Sequence, residues 1–166
     1  MMDIKTMKAE VQECLQDNIL HFWQTKMVDR ENGGFYGRID GQEVLHPDAE
    51  KGAILNARIL WTFSAAYRVL GKQEYLDMAT YAKDYFIDHF IDKEYGGVYW
   101  SLDYKGQPLN TRKQFYAIGF ALYGLQPRSH IFLPGIIYRL LTPFSFLLTP
   151  FSFLLPPYLS SRGSLA

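Results

Sequence analysis

The residue best equipped for chemistry is Arg58. It lies in the middle of the run Lys51 to Leu70, with Ile54, Leu55, Trp61 and Thr62 one helical turn away. A guanidinium among such neighbours is costly unless it reaches water, pairs with an acid, or faces the oxygens of a ligand. The first two readings are structural. In the third, the planar fork is a fixed cation at the floor of a polar cavity, suited to substrate oxygens. Tyr116 occupies a similar place in a second apolar run, where a tyrosine on its own reads as core. His46 precedes Pro47 in a loop, His21 and His89 fall on amphipathic runs, and His130 belongs to a compositionally foreign tail. None has a partner at metal-ligand spacing, so neither metal nor cofactor is expected.

Positioning of these residues follows from an internal repeat. Asp29-Arg30-Glu31-Asn32-Gly33-Gly34-Phe35-Tyr36 returns 63 residues later as Asp92-Lys93-Glu94-Tyr95-Gly96-Gly97-Val98-Tyr99. Each copy leads to a helix-like run that begins near a lysine, Lys51 or Lys113. Because Asp29, Glu31, Asp92 and Glu94 recur together with the glycines, they read as turn-formers rather than as an acid and base pair. Ile4, Met7, Val11, Leu15, Ile19, Phe22 and Trp23 follow a 3.6-residue period and predict an amphipathic helix over about 3–26, in which Cys14 shares the buried face.

Gly33 to Gly41 carries the aromatic alternation and Asp-Gly turn of a short hairpin, and its second copy, Gly96 to Gly106, reads as two residues longer. Helices are predicted over about 51–70, apolar nearly all round and therefore enclosed, and over about 73–90, with one wet face. A further enclosed helix is predicted from about Arg112. The order is outer helix, hairpin, inner helix, twice over. Such alternation points to an array of helical hairpins in which each unit buries its apolar face against its neighbours.

Composition divides the chain near Gln126. Residues 1–126 hold all 17 acids against 14 Lys and Arg, a net −3, whereas the remainder carries +3 and six of the eight prolines. That remainder contains an identical tandem heptad, Leu141 to Leu147 and Leu148 to Leu154. Its prolines leave no uninterrupted stretch near the roughly 20 residues of a spanning helix, so no membrane partner is expected. Residues 127–166 are read as a frameshift-like, disordered tail foreign to the fold. The polar start, Met1 to Glu10, has no signal-peptide core and suggests the cytoplasm, and no basic surface invites nucleic acid.

Lys51 to Tyr67, Asp92 to Trp100 and Lys113 to Leu125 together resemble the N-terminal part of the N-acylglucosamine 2-epimerase family, and most closely its cellobiose 2-epimerase branch. The resemblance covers about residues 3–125. It implies an all-α fold, a partial (α/α)6 barrel of about two helical hairpins with short β-hairpin loops. Six units of about 63 residues would make roughly 380, so this chain holds about a third of such a toroid.

The resemblance also implies epimerisation at C2 of a reducing-end sugar, a disaccharide or monosaccharide, through ring opening and a cis-enediolate. Arg58 matches the family arginine that stabilises the oxyanion, and Tyr116 matches a tyrosine lining the same pocket. The family's two proton-transferring histidines come from later repeats and have no counterpart here, so the chain by itself is expected to be inactive.

Rival readings are an N-acylglucosamine 2-epimerase or mannose isomerase fragment, or an (α/α)6 glycoside hydrolase, which needs a carboxyl pair not evident on the inner helices. A non-catalytic helical interaction module is a further alternative. An open barrel flank would favour aggregation.

Overall fold

The computed structural model describes residues 3–125 and Leu140. Helices dominate: α1 (Ile4–Glu13), a wide π-helical stretch (Cys14–Leu20) and α2 (His21–Thr25) form one continuous rod. After a long loop, β1 (Lys51–Gly52) enters α3 (Ala53–Leu70), and α4 (Gln73–Tyr85) runs into a second π-helical stretch (Phe86–Phe90). Two short strands, β2 (Ser101–Leu102) and β3 (Pro108–Asn110), precede α5 (Phe115–Gly124). The predicted helices are therefore present, although α5 starts after Gln114 rather than at Arg112.

The strands form a small antiparallel sheet in the order β1-β2-β3, with Lys51 opposite Leu102 and Ser101 opposite Asn110. Its role is to seat α3. The Ala53 amide donates to the Trp100 carbonyl at 3.1 Å and the Ser101 hydroxyl to Glu50 at 2.9 Å, so the second hairpin grips the start of the first inner helix. Beneath lies a core of Leu20, Phe35, Leu60, Phe63, Tyr75, Phe86, Phe90 and Leu102, to which α3, α4 and the second π-helical stretch all contribute. Leu140 also belongs to that core and is helical. The remaining residues of the expected 127–166 tail lie outside the described residues.

Four expectations need correction. Ile4, Met7, Val11 and Ile19 are exposed, and α1 buries nothing among the described residues. The wide turns of Cys14–Leu20 rotate the rod, so that Leu20, outside the 3.6-residue stripe, is the residue turned fully inward. Cys14 is exposed rather than packed on a buried face, whereas Leu15, Phe22 and Trp23 of the same predicted stripe do pack against the core. The inner helices are also less enclosed than their composition suggests: Arg58, Trp61 and Val69 on α3 and Phe115, Tyr116 and Tyr123 on α5 are exposed.

Finally, the second hairpin is not longer than the first. The Asp40 carboxylate accepts from the Gln42 and Val44 amides, and the Asp103 carboxylate accepts in the same way from Lys105 and Gln107. Glu43, at φ 61°, holds the left-handed position that Gly106 holds at φ 86°. The turn glycine moved within an unchanged turn, which made the second copy look expanded.

Candidate functional site

Two equivalent ion pairs anchor the inner helices. Asp29 accepts from the Glu31 and Asn32 amides with one oxygen, and from Lys51 Nζ at 2.7 Å with the other. Asp92 repeats the pattern with Glu94, Tyr95 and Lys113 Nζ, again at 2.7 Å. The turn carboxylates thus fix where α3 begins and hold the segment leading into α5, as their recurrence with the glycines foretold. Burial alone would push both carboxyls up. Hydrogen bonds from the turn amides and from lysine, with the lysine charge, outweigh it and hold both below the ordinary value. Lys51 also donates to the Gly33 carbonyl at 2.6 Å.

Arg58 stands one turn into α3, and among the described residues it forms no hydrogen bond or ion pair. Its guanidinium faces outward from the core, which removes the desolvation cost expected of an enclosed cation. α5 approaches this part of α3 closely. A Cβ on Gly124 would lie 2.7 Å from the Ala57 carbonyl oxygen, so glycine is what allows the two backbones to meet there. Trp61 and Tyr123 stack across the junction, with ring centroids 5.2 Å apart and planes 20° from parallel. Tyr116, at the start of α5, is 62% exposed and packs edge-on against Phe120.

The structure therefore places Arg58 and Tyr116 on the exposed sides of two helices that pack together. The Trp61–Tyr123 stack was not singled out in the sequence as functional. Its only signal was that both rings lie 10 residues beyond the paired lysines, Lys51 and Lys113, at equivalent places in the two inner helices.

The described histidines are engaged elsewhere. His46 meets Asp40 at 3.0 Å, and His89 Nδ1 lies 3.0 Å from the Gly106 carbonyl. His21 lines an outer cleft of about 640 Å³ between α2 and α4, with Arg30, Glu74, Asp77 and Tyr81. Among the described residues, no group of three or more His, Cys, Asp or Glu could hold a metal ion, and no helix is long and apolar enough to cross a membrane.

Comparison with known proteins places these features in context. The model of the family described as N-acylglucosamine 2-epimerase (GlcNAc 2-epimerase) matches residues 34–127. A cellobiose 2-epimerase of Bacteroides fragilis is 67% identical over 119 residues, and one of Ruminococcus albus 47% over 119 residues. In both cases the match spans 72% of this chain but only 30% of the relative. The solved cellobiose 2-epimerase of Bacillus thermoamylovorans B4167 superposes with a TM-score of 0.77 at 38% identity, over 88% of this chain and 37% of that one. A D-mannose isomerase shares the fold, with a TM-score of 0.67 at 20% identity.

Proposed function

Because the chain belongs to the N-acylglucosamine 2-epimerase family, we propose that residues 3–125 form two hairpins of an (α/α)6 barrel that epimerises a reducing-end sugar at C2, converting cellobiose to 4-O-β-glucosyl-mannose. The observation that carries this reading is the 67% identity to a cellobiose 2-epimerase across 119 residues, the part of the chain that contains Arg58 and Tyr116. The same identity favours a disaccharide over the N-acylglucosamine and mannose alternatives.

In this reading the sugar ring opens, a base removes the proton at C2, and a cis-enediolate forms before a proton returns to the opposite face. Arg58 supplies the cation for the developing oxyanion. Its lack of a partner among the described residues supports the role, since a guanidinium already bound to a carboxylate could not present its fork to another anion. Tyr116, exposed on the helix that packs against α3, is assigned to the same pocket as a sugar contact. The proton-transferring pair is assigned outside residues 3–125, since His21 lines the outer cleft, His46 is held by Asp40 in the first hairpin, and His89, on the second π-helical stretch, is engaged with the Gly106 carbonyl.

The 166-residue chain is therefore expected not to epimerise cellobiose. Exchanging residues 1–125 into the Bacteroides fragilis relative should give an active enzyme. Arg58→Ala in that chimera should lower kcat about 10²- to 10³-fold, the range for loss of one oxyanion-stabilising donor, while Arg58→Lys restores part of it. Full activity of the Arg58→Ala chimera would remove Arg58 from the mechanism, and turnover by the short chain at the chimera's rate would overturn the placement of the acid and base.

A further inference from the structure

The aromatic residues beside Arg58 are placed differently from the rest of the core. Neighbouring positions on the same helices are closed: Ala57, Leu60 and Phe63 on α3 are 1% exposed, and Ala121 on α5 is fully buried. Trp61 remains 39% exposed and Tyr123 42% exposed, although each covers one face of the other. Rings that served only to join the helices would gain by turning inward, since apolar area left in water forfeits about 25 cal/mol per Å². Instead the stacked pair keeps its outer ring faces and ring edges in water. It lies one turn along α3 from Arg58 and, on α5, two turns from Tyr116 with Phe120 between them. The close approach of Gly124 to Ala57 holds the two helices at the separation that stacking requires.

From this arrangement we propose that Trp61 and Tyr123 form an apolar shelf that binds the C–H face of a closed pyranose ring and so selects the sugar before it opens. The assignment rests on the reading that Arg58 faces the substrate. A β-configured glucose ring presents several axial C–H bonds on one face, with weak positive charge that matches the negative face of an aromatic π-system. An open-chain polyol has no such face. Arg58 and the shelf therefore recognise different forms of one substrate: the shelf holds the ring-closed ground state, and the guanidinium holds the oxyanion that appears after opening. A contact made with the closed ring and released on opening tightens the ground state alone, so its loss raises KM and leaves kcat/KM unchanged.

The two roles can be separated on the chain as it is. Methyl β-glucoside, whose ring cannot open, would be titrated by saturation-transfer NMR alongside glucitol, the open-chain counterpart, with an aldonohydroxamate as the enediolate mimic. Transfer from Trp and Tyr ring protons to one face of methyl β-glucoside, and none to glucitol, is expected. Trp61→Leu should weaken glucoside binding about tenfold, the order of one good aromatic contact, Trp61→Phe should retain most of it, and Arg58→Ala should leave it unchanged while abolishing hydroxamate binding. Tyr123→Leu provides a second variant should Trp61→Leu lose its helical circular dichroism.

No transfer to methyl β-glucoside in the unmutated chain, or unchanged binding in a folded Trp61→Leu or Tyr123→Leu variant, overturns the shelf. Hydroxamate binding that still depends on Arg58 in that case leaves the epimerase reading standing. Loss of the shelf signal alone in the leucine variants supports both.

Discussion

The two copies of the Asp-Gly-Gly turn are chemically alike and sit in unlike surroundings. In the first, both Lys51 and Asp29 side chains are 0% exposed, while in the second Lys113 and Asp92 remain 20% and 6% exposed. The difference comes from the following repeat. Tyr85, on α4, lies against Gly33 and Gly34 and has Lys51 Nζ 5.3 Å from its ring centroid. Lys113 has instead Tyr99, a residue of its own turn, at 4.0 Å. One unit's ion pair is thus sealed by the next unit's outer helix. In a repeat array this makes the burial of a charge a property of the neighbour, not of the motif.

The largest test of that contrast is to break each pair in turn. Lys51→Met leaves Asp29 buried without its cation and should destabilise the chain by about 3–5 kcal/mol. Lys113→Met should cost about 2 kcal/mol, the scale of a lost charged hydrogen bond that water can partly replace. Urea unfolding followed by circular dichroism measures both, and equal losses would show that Tyr85 does not distinguish the two sites.

A second test addresses Tyr85 itself. Gly34 has φ 67°, and a Cβ there would come within 2.5 Å of the Tyr85 ring. Gly34→Ala should cost about 3 kcal/mol, from left-handed strain and overlap together. In a Tyr85→Leu background the overlap disappears and only the strain, about 1–2 kcal/mol, should remain. Additive losses in the double variant would refute the contact.

Acid provides a gentler probe. Asp29 and Asp92 both titrate below the unfolded value of 3.8, so the unfolded chain takes up protons first as pH falls. The stability they contribute is present above about pH 4 and is lost as pH drops through the folded values. Asp92→Asn should make the stability curve below pH 4 shallower than that of the unmutated chain, and an unchanged slope would remove this carboxylate from the acid response.

The smallest effect concerns the hairpins. Gly106→Ala should lower the melting temperature by about 5 °C, because its Cβ would meet His89 and Tyr85 2.9 Å away. Glu43→Gly, at the equivalent turn position, should not lower it, since glycine adopts the left-handed conformation that strains glutamate. A clear loss from Glu43→Gly would point to the exposed Lys26–Glu43 pair as the stronger influence.

The repeat, the order of helices and the turn role of Asp29 and Asp92 were legible in the residues themselves. Those features depend on local rules: a 3.6-residue apolar period, Gly-Gly at positive φ, and an aspartate capping the amides that follow it. Arg58 stood out as a candidate from its apolar neighbours, but its role and that of Tyr116 came only from the family resemblance, because an arginine in an apolar helix has the same sequence whether it faces a cavity or open water. The face of α1 that carries Ile4, Met7 and Val11 shows the complementary limit. Its period was correct, yet the π-helical turns of Cys14–Leu20 and the absence of a packed partner among the described residues left it exposed.

By itself, the sequence determined which segments become helices, where the chain turns, and that Asp29 and Asp92 would play one part twice. Each of these choices is settled within a few residues of backbone. Only the tertiary structure decided that Lys51 is sealed while Lys113 is not, that Glu43 and Gly106 share a turn position, and that Trp61 meets Tyr123 beside Arg58. Trp61 and Tyr123 stand 62 positions apart and meet through helix packing, Lys51 depends on a neighbour that excludes water, and the shared turn shows only in which amides Asp40 and Asp103 bind.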